Sequence, residues 1–196
     1  AVQAFGKVRI SPEELGIDFL SASAHKFHGP KGVGFLYTSP LHFDNLLHGG
    51  EQEEKRRAST ENMIGIAGLA AATQFANAHI EDNFTHVQHL KSTFIQNLDG
   101  INYYLNTSEK ALPHVINIGF PGINNGILLT QLDLAGFAVS TGSACTAGTV
   151  DPSHVLASQF GATSPRLTES IRISFSELNT EAEVLALTQK LKEIIG

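Results

Sequence analysis

Lys26 stands in "SASAHKFHGPKGVGFLY", between two histidines and directly before a Gly-Pro-Lys-Gly turn. Taken alone, a lysine is more often a solvated surface charge than anything else. Here it falls at the end of an element, where loss of solvent favours a neutral amine able to form a Schiff base. Ser21, Ser23 and His25 beside it offer hydroxyl and imidazole donors for an anion such as a phosphate. Cys145, the only cysteine, also reads in two ways. A free cysteine is usually a small buried hydrophobe. In "STGSACTAG", however, Gly142, Ser143, Ala144, Thr146, Ala147 and Gly148 supply little bulk to bury a thiol and much backbone freedom to move it, as expected of a nucleophile on a mobile loop. Arg172 in "SIRISFS" is either an exposed edge-strand charge or, if it points into a cleft, a planar fork for a substrate carboxylate.

An amine nucleophile beside phosphate donors suggests pyridoxal phosphate, and the surrounding elements must hold it in place. "SPEEL" predicts a short helix with Ser11 as cap and Pro12 in its first turn, followed by an extended segment. "VGFLYTS", closed by Pro40, predicts a buried strand. From Thr60 to about Leu98 the apolar spacing predicts two helices or one bent helix, closed by Asp99-Gly100. Then come "HVINIGF" as strand, "NGILLTQLDLAG" as helix ending at Gly136, "FAVST" as strand, the Cys145 loop, and "DPSHVLASQFGA" as a helix capped by Asp151. "SIRISFS" alternates as a strand. The last helix starts at Thr180 with Glu183 completing a capping box, and sets Val184, Leu187, Leu191 and Ile194 on one face. The order is α/β or α+β.

Composition sets the outer limits. With 196 residues and 42% hydrophobic content, the chain can bury a real core and suits one domain or two small ones. A net charge of -6, with no long basic block, argues against nucleic acid and membrane surfaces. The longest weakly polar run, "IGIAGLAAATQFANA", is too short and too polar to span a bilayer, and with no signal-peptide pattern at Ala1 a cytoplasmic location is the expectation. One cysteine excludes an intrachain disulfide and a cysteine metal cluster. The start at Ala1, with Met63 the only methionine, fits either a removed initiator or a piece of a longer chain.

Four stretches taken in order, "SASAHKFHGPKGVGFLY", "HGGEQEEKRRASTENMIGIAGLAAA", "STGSACTAG" and "SIRISFS", resemble the second half of a cysteine desulfurase of the NifS/IscS type, a class V member of the fold-type I pyridoxal-phosphate enzymes. The resemblance implies an α/β fold: residues 1–80 as the tail of the large cofactor domain and residues 81–196 as a small α+β domain carrying the cysteine loop. It implies that Lys26 bonds pyridoxal 5'-phosphate, that Ser23 and His25 hydrogen-bond its phosphate, and that Gln3 contacts its 3-hydroxyl. Thr60 matches a threonine that reaches the phosphate of the other subunit, hence a homodimer. Cys145 matches the persulfide-forming nucleophile and Arg172 the binder of the substrate carboxylate. L-cysteine as substrate, a sulfur-acceptor protein as partner and a role in iron-sulfur cluster assembly follow from the same likeness, with no metal site.

Departures from the pattern matter too. In the family an aspartate that pairs with the pyridinium nitrogen directly precedes the segment matching "AVQAFGK", and the sequence starts one residue later. The chain is therefore expected to be the C-terminal portion of a desulfurase and inactive by itself. Glu51, Lys55 and Ser59 stand where the family usually has glycine, which allows backbone dihedrals that side chains resist, so the loop shape near Thr60 and its cross-subunit phosphate contact are expected to follow the family least. Rival readings are another class V enzyme, an aminotransferase or a selenocysteine lyase, which would not need Cys145 on a loop, or a non-catalytic dimerisation fragment.

Overall fold

Alternating burial builds the first sheet. In the computed structural model, which describes residues 1–39, 43–142 and 152–196, β1 (Phe19–Ser23) buries Leu20 and Ala22 and exposes Phe19 and Ser21. It pairs antiparallel with β2 (Gly34–Thr38), from Phe19 against Thr38 to Ser23 against Gly34. A 3-10 turn (Ala24–Phe27) leaves β1, and His28 and Gly29 follow it, His28 in the left-handed region. "SPEEL" forms one hydrogen-bonded turn, with Ile17 N–H on the Pro12 carbonyl at 2.8 Å, and does not continue into a helix. Gly16, at a φ of 64°, turns the chain out of helical geometry after one turn. The strand expected from "VGFLYTS" is present but only half-buried, because its two-stranded sheet is covered on one face alone. Pro40 lies outside the described residues.

Two compact units divide the chain, Ala1–Asn83 and Phe84–Gly196. In the first, Ala22, Ala24, Phe27 and Ala76 form the buried cluster, with the Phe5 ring tilted against Phe27 at 5.0 Å and edge-on to Phe35 at 4.9 Å. α1 (Gln52–Lys55) is a single turn in which Glu53, Glu54 and Lys55 take φ of 50°, 56° and 67°. Ser59 follows at 93°. Lys55 and Ser59, two of the positions where the family usually has glycine, thus take left-handed backbone, whereas Glu51, the third, has φ at -93°. The segment expected as two helices or a bent one is α2 (Met63–Gln96), a single 34-residue helix.

In Phe84–Gly196, β3 (Tyr104–Leu105), β4 (Val115–Gly119) and β5 (Ser170–Ser174) form an antiparallel sheet in that order. Its helices are the end of α2, α3 (Asn125–Leu134), α4 (His154–Phe160), α5 (Arg166–Glu169) and α6 (Glu181–Ile195). Ile116, Ile118, Ile171 and Ile173 from the strands meet Leu90, Phe94, Leu128, Leu132, Val184, Leu187 and Leu191 from the helices in one core. Each fully buried leucine, isoleucine or phenylalanine contributes roughly 1.5–3 kcal/mol. The capping box of α6 is present: Thr180 N–H donates to Glu183 Oε2 at 2.8 Å and Glu183 N–H to Thr180 Oγ1 at 3.3 Å. Two expectations need correction. "FAVST" is not a strand, since only Ser140 pairs, with Arg172. α4 is capped by Ser153, whose Oγ accepts from Leu156 N–H at 3.3 Å, while Asp151 lies outside the described residues. β3 and α5 carry too little sequence signal to be anticipated.

Candidate active site

The 3-10 turn explains how Lys26 is presented. With three residues per turn, positions three apart eclipse one another, so Ala24 and Phe27 face the core together. His25 and Lys26 between them face solvent. Lys26 is exposed rather than desolvated by its own unit. The turn itself is tightly seated. Gly29 N–H donates to the Ala24 carbonyl at 2.8 Å, and a Cβ on Gly29 would lie 2.8 Å from that of Ala24. On the next stretch Pro30 lies against α2 so closely that a Cβ on Gly68 would come within 2.5 Å of its ring.

Ser23 Oγ and His25 Nδ1 are 2.9 Å apart. If the hydroxyl donates to Nδ1, the imidazole keeps an Nε2–H facing outward; if Nδ1–H donates, the hydroxyl proton is free. Either way one donor beside Lys26 remains for an anion. Lys7, which the sequence did not single out, sends its Nζ to the Lys26 carbonyl at 3.2 Å and adds a second positive charge to the turn. Only its spacing from Gly6 in "AFGKV" could have drawn notice. Gln3 lies exposed in the hydrogen-bonded turns that open the chain, and Thr60 is exposed directly after Ser59.

Arg172 belongs to the second unit, on β5 opposite Asn117 of β4. It is half-buried, and its neighbours Ile171 and Ile173 point into the core, so its side chain leaves on the other face. Its backbone is bonded both ways to Ser140, at 2.6 and 3.0 Å, and Nη2 donates weakly to Ser140 Oγ at 3.4 Å. Nε is buried and has no hydrogen-bond partner among the described residues. An unpartnered buried donor costs about 1–3 kcal/mol, and an arriving acceptor would relieve that cost. Cys145 lies outside the described residues. Among the described residues no group of histidine, cysteine, aspartate and glutamate side chains is arranged to hold a metal ion, and no helix is long and apolar enough to cross a membrane.

The first unit presents a lysine on a tight turn with a hydroxyl-imidazole pair beside it, and the second presents an arginine fork with a buried free donor; each by itself is a set of donors suited to an anionic group. Residues 1–187 match the model of the aminotransferase class-V family, and the chain belongs to that family, whose members depend on pyridoxal phosphate. Among its relatives, IscS 1 of Bacillus subtilis (strain 168) is 47% identical over 199 residues, covering 100% of this chain and 52% of that protein. A cysteine desulfurase IscS of Clostridium botulinum (strain Hall, Type A) is 40% identical over 202 residues, covering 100% of this chain and 50% of the other. The mixed helix and strand fold matches a solved NifS-like protein with a TM-score of 0.85 at 36% identity, over 99% of this chain and 50% of that one. The chain spans about half the length of the relatives it matches.

Proposed function

We propose that this chain carries the lysine, the sulfur-accepting cysteine and the carboxylate anchor of a pyridoxal-phosphate-dependent cysteine desulfurase. The observation that supports it best is the Ser23–His25 pair at 2.9 Å, next to Lys26 on one rigid turn. That donor set fits the cofactor: Ser23 and His25 hold its phosphate, Gln3 its ring hydroxyl, and Thr60 reaches across a homodimer to the partner's cofactor. Residues 1–80 are the tail of the large domain in this reading, and residues 81–196 the small domain. When bound, pyridoxal phosphate withdraws electrons from the substrate carbon that bears the amine. Arg172 fixes the substrate carboxylate by its fork. Lys26, as a free amine, moves a proton between carbon positions. The Cys145 thiolate attacks the substrate sulfur, so an S–S bond forms as the C–S bond breaks. L-cysteine and one enzyme thiol thus yield L-alanine and one persulfide, with no external oxidant. The persulfide passes to a sulfur-acceptor protein, and the family likeness supports a cytoplasmic role in iron-sulfur cluster assembly.

The test is a pair of variants in the full-length protein. Cys145→Ser should abolish persulfide while the cofactor absorbance band remains, and Lys26→Ala should lose that band. Unchanged sulfur release from Cys145→Ser would instead favour a lyase of the same family.

A further inference from the structure

The polar face of the second sheet holds an arginine whose direction of donation decides that of two asparagines. Arg166 is clamped between aromatic rings, 4.2 Å from the centroid of Tyr104 and 4.3 Å from that of Phe160. Its Nη1 donates to Asn106 Oδ1. Guanidinium has no acceptor, so Asn106 must present its oxygen there and turn its amide nitrogen the other way. That nitrogen donates to Asn117 Oδ1 at 2.7 Å and to Ser170 Oγ at 2.9 Å. Asn117 therefore accepts through its oxygen, and its own Nδ2 is directed away from Asn106.

Asn117 is the cross-strand partner of Arg172. Such partners have Cβ atoms about 4.5–5.5 Å apart. Ile116, Ile118, Ile171 and Ile173 occupy the core face, so Asn117 and Arg172 share the opposite one. Its main chain is fixed as well, with the Asn117 N–H donating to Thr107 Oγ1 at 2.6 Å. Arg172 Nε is buried without an acceptor among the described residues, and Asn117, whose oxygen is taken by Asn106, keeps its Nδ2 for another acceptor. Two neighbouring donor groups cannot satisfy each other, whereas a carboxylate between them satisfies both.

Resting on the reading of Arg172 given above, we propose that Asn117 is a second substrate-binding residue. Its Nδ2 donates to the carboxylate that Arg172 holds, and Arg166, acting through Asn106, is the positioning residue that sets its direction.

Asn117→Asp and Asn117→Ala in the full-length enzyme test this together. Asp keeps the volume and the oxygen that Asn106 needs but sets an anionic acceptor beside Arg172, whereas Ala removes the free donor without adding charge. The dissociation constant of unreactive L-alanine, by calorimetry, and the KM for L-cysteine should each rise about tenfold or more, with kcat and the unfolding midpoint little changed. Arg166→Met, which lets the Asn106 amide turn over, should raise both by a few-fold, and Arg166→Lys, which retains a donor, should recover part of that loss. Arg172→Ala serves as the reference. If it raises the L-alanine dissociation constant while Asn117→Ala stays within about twofold of wild type, whatever Asn117→Asp does, the Asn117 assignment is wrong and Arg172 stands. If Arg172→Ala has no effect, the carboxylate reading of Arg172 fails and this inference goes with it.

Discussion

Where Phe84–Gly196 buries Phe94, Phe120, Leu128 and Leu191 completely, Ala1–Asn83 builds its cluster from Ala22, Ala24, Phe27 and Ala76. The other face of its two-stranded sheet leaves Phe19 and Leu36 about half exposed, at 49% and 54%. The second unit is held by apolar mass. The first is held by close backbone approach, at Gly29 against Ala24 and Gly68 against Pro30. The difference suits the residues each presents. In the function proposed above, a lysine that bonds a cofactor needs a fixed turn more than a deep core, and an arginine fork needs a sheet that does not give under an ionic load.

The contrast can be broken in order of expected effect. Phe94→Ala should remove about 3–5 kcal/mol from the second unit, read as a lower urea midpoint. In the first unit the corresponding damage comes from adding an atom: Gly68→Ala drives a methyl into Pro30 and should cost about 1–3 kcal/mol. A Phe94→Ala loss no larger than that of Gly68→Ala would erase the distinction between the units. Lys55→Gly and Ser59→Gly should each stabilise the first unit by about 1 kcal/mol, since left-handed backbone penalises a Cβ. Equal or lower melting temperatures for these variants would show that the strain is absent.

The smallest effect is acid sensitivity at the start of α6. The Thr180 N–H holds the Glu183 carboxyl below its usual pKa, with Asn179 adding to it. A lowered folded pKa means that the folded state binds fewer protons, so this support is complete above the unfolded glutamate pKa of about 4.3 and fades as pH falls through the folded value. Melting curves taken between neutral pH and the region below that pKa should therefore drop more for the wild type than for Glu183→Gln. Parallel curves would remove the carboxylate from the account.

Much of this was legible because its causes are local. The capping box needs only Thr180 and Glu183, and Ser23, His25 and Lys26 are neighbours in sequence as well as in space. "FAVST" misled because Phe137 and Val139 do alternate, but they do so by packing on the core rather than by pairing with a strand. The missing glycines marked the loop before Thr60 as unusual, but not that its left-handed backbone would include Glu53 and Glu54 and leave out Glu51. Asn106, Asn117 and Arg166 gave no warning at all. They come from three separate segments, and it takes the pairing beside β4 together with the position of α5 to bring them into one hydrogen-bonded line.

The Ser140–Arg172 bridge stands alone, with no strand continuing from Ser140 on its side. Its two amides can therefore open together without the rest of the sheet, and in heavy water both should take up deuterium with a single time constant. Because the same arginine would grip the carboxylate, that time constant should lengthen when an amino acid binds. Five residues before Cys145, the chain carries a clock that could be read by isotope exchange without adding any label to it.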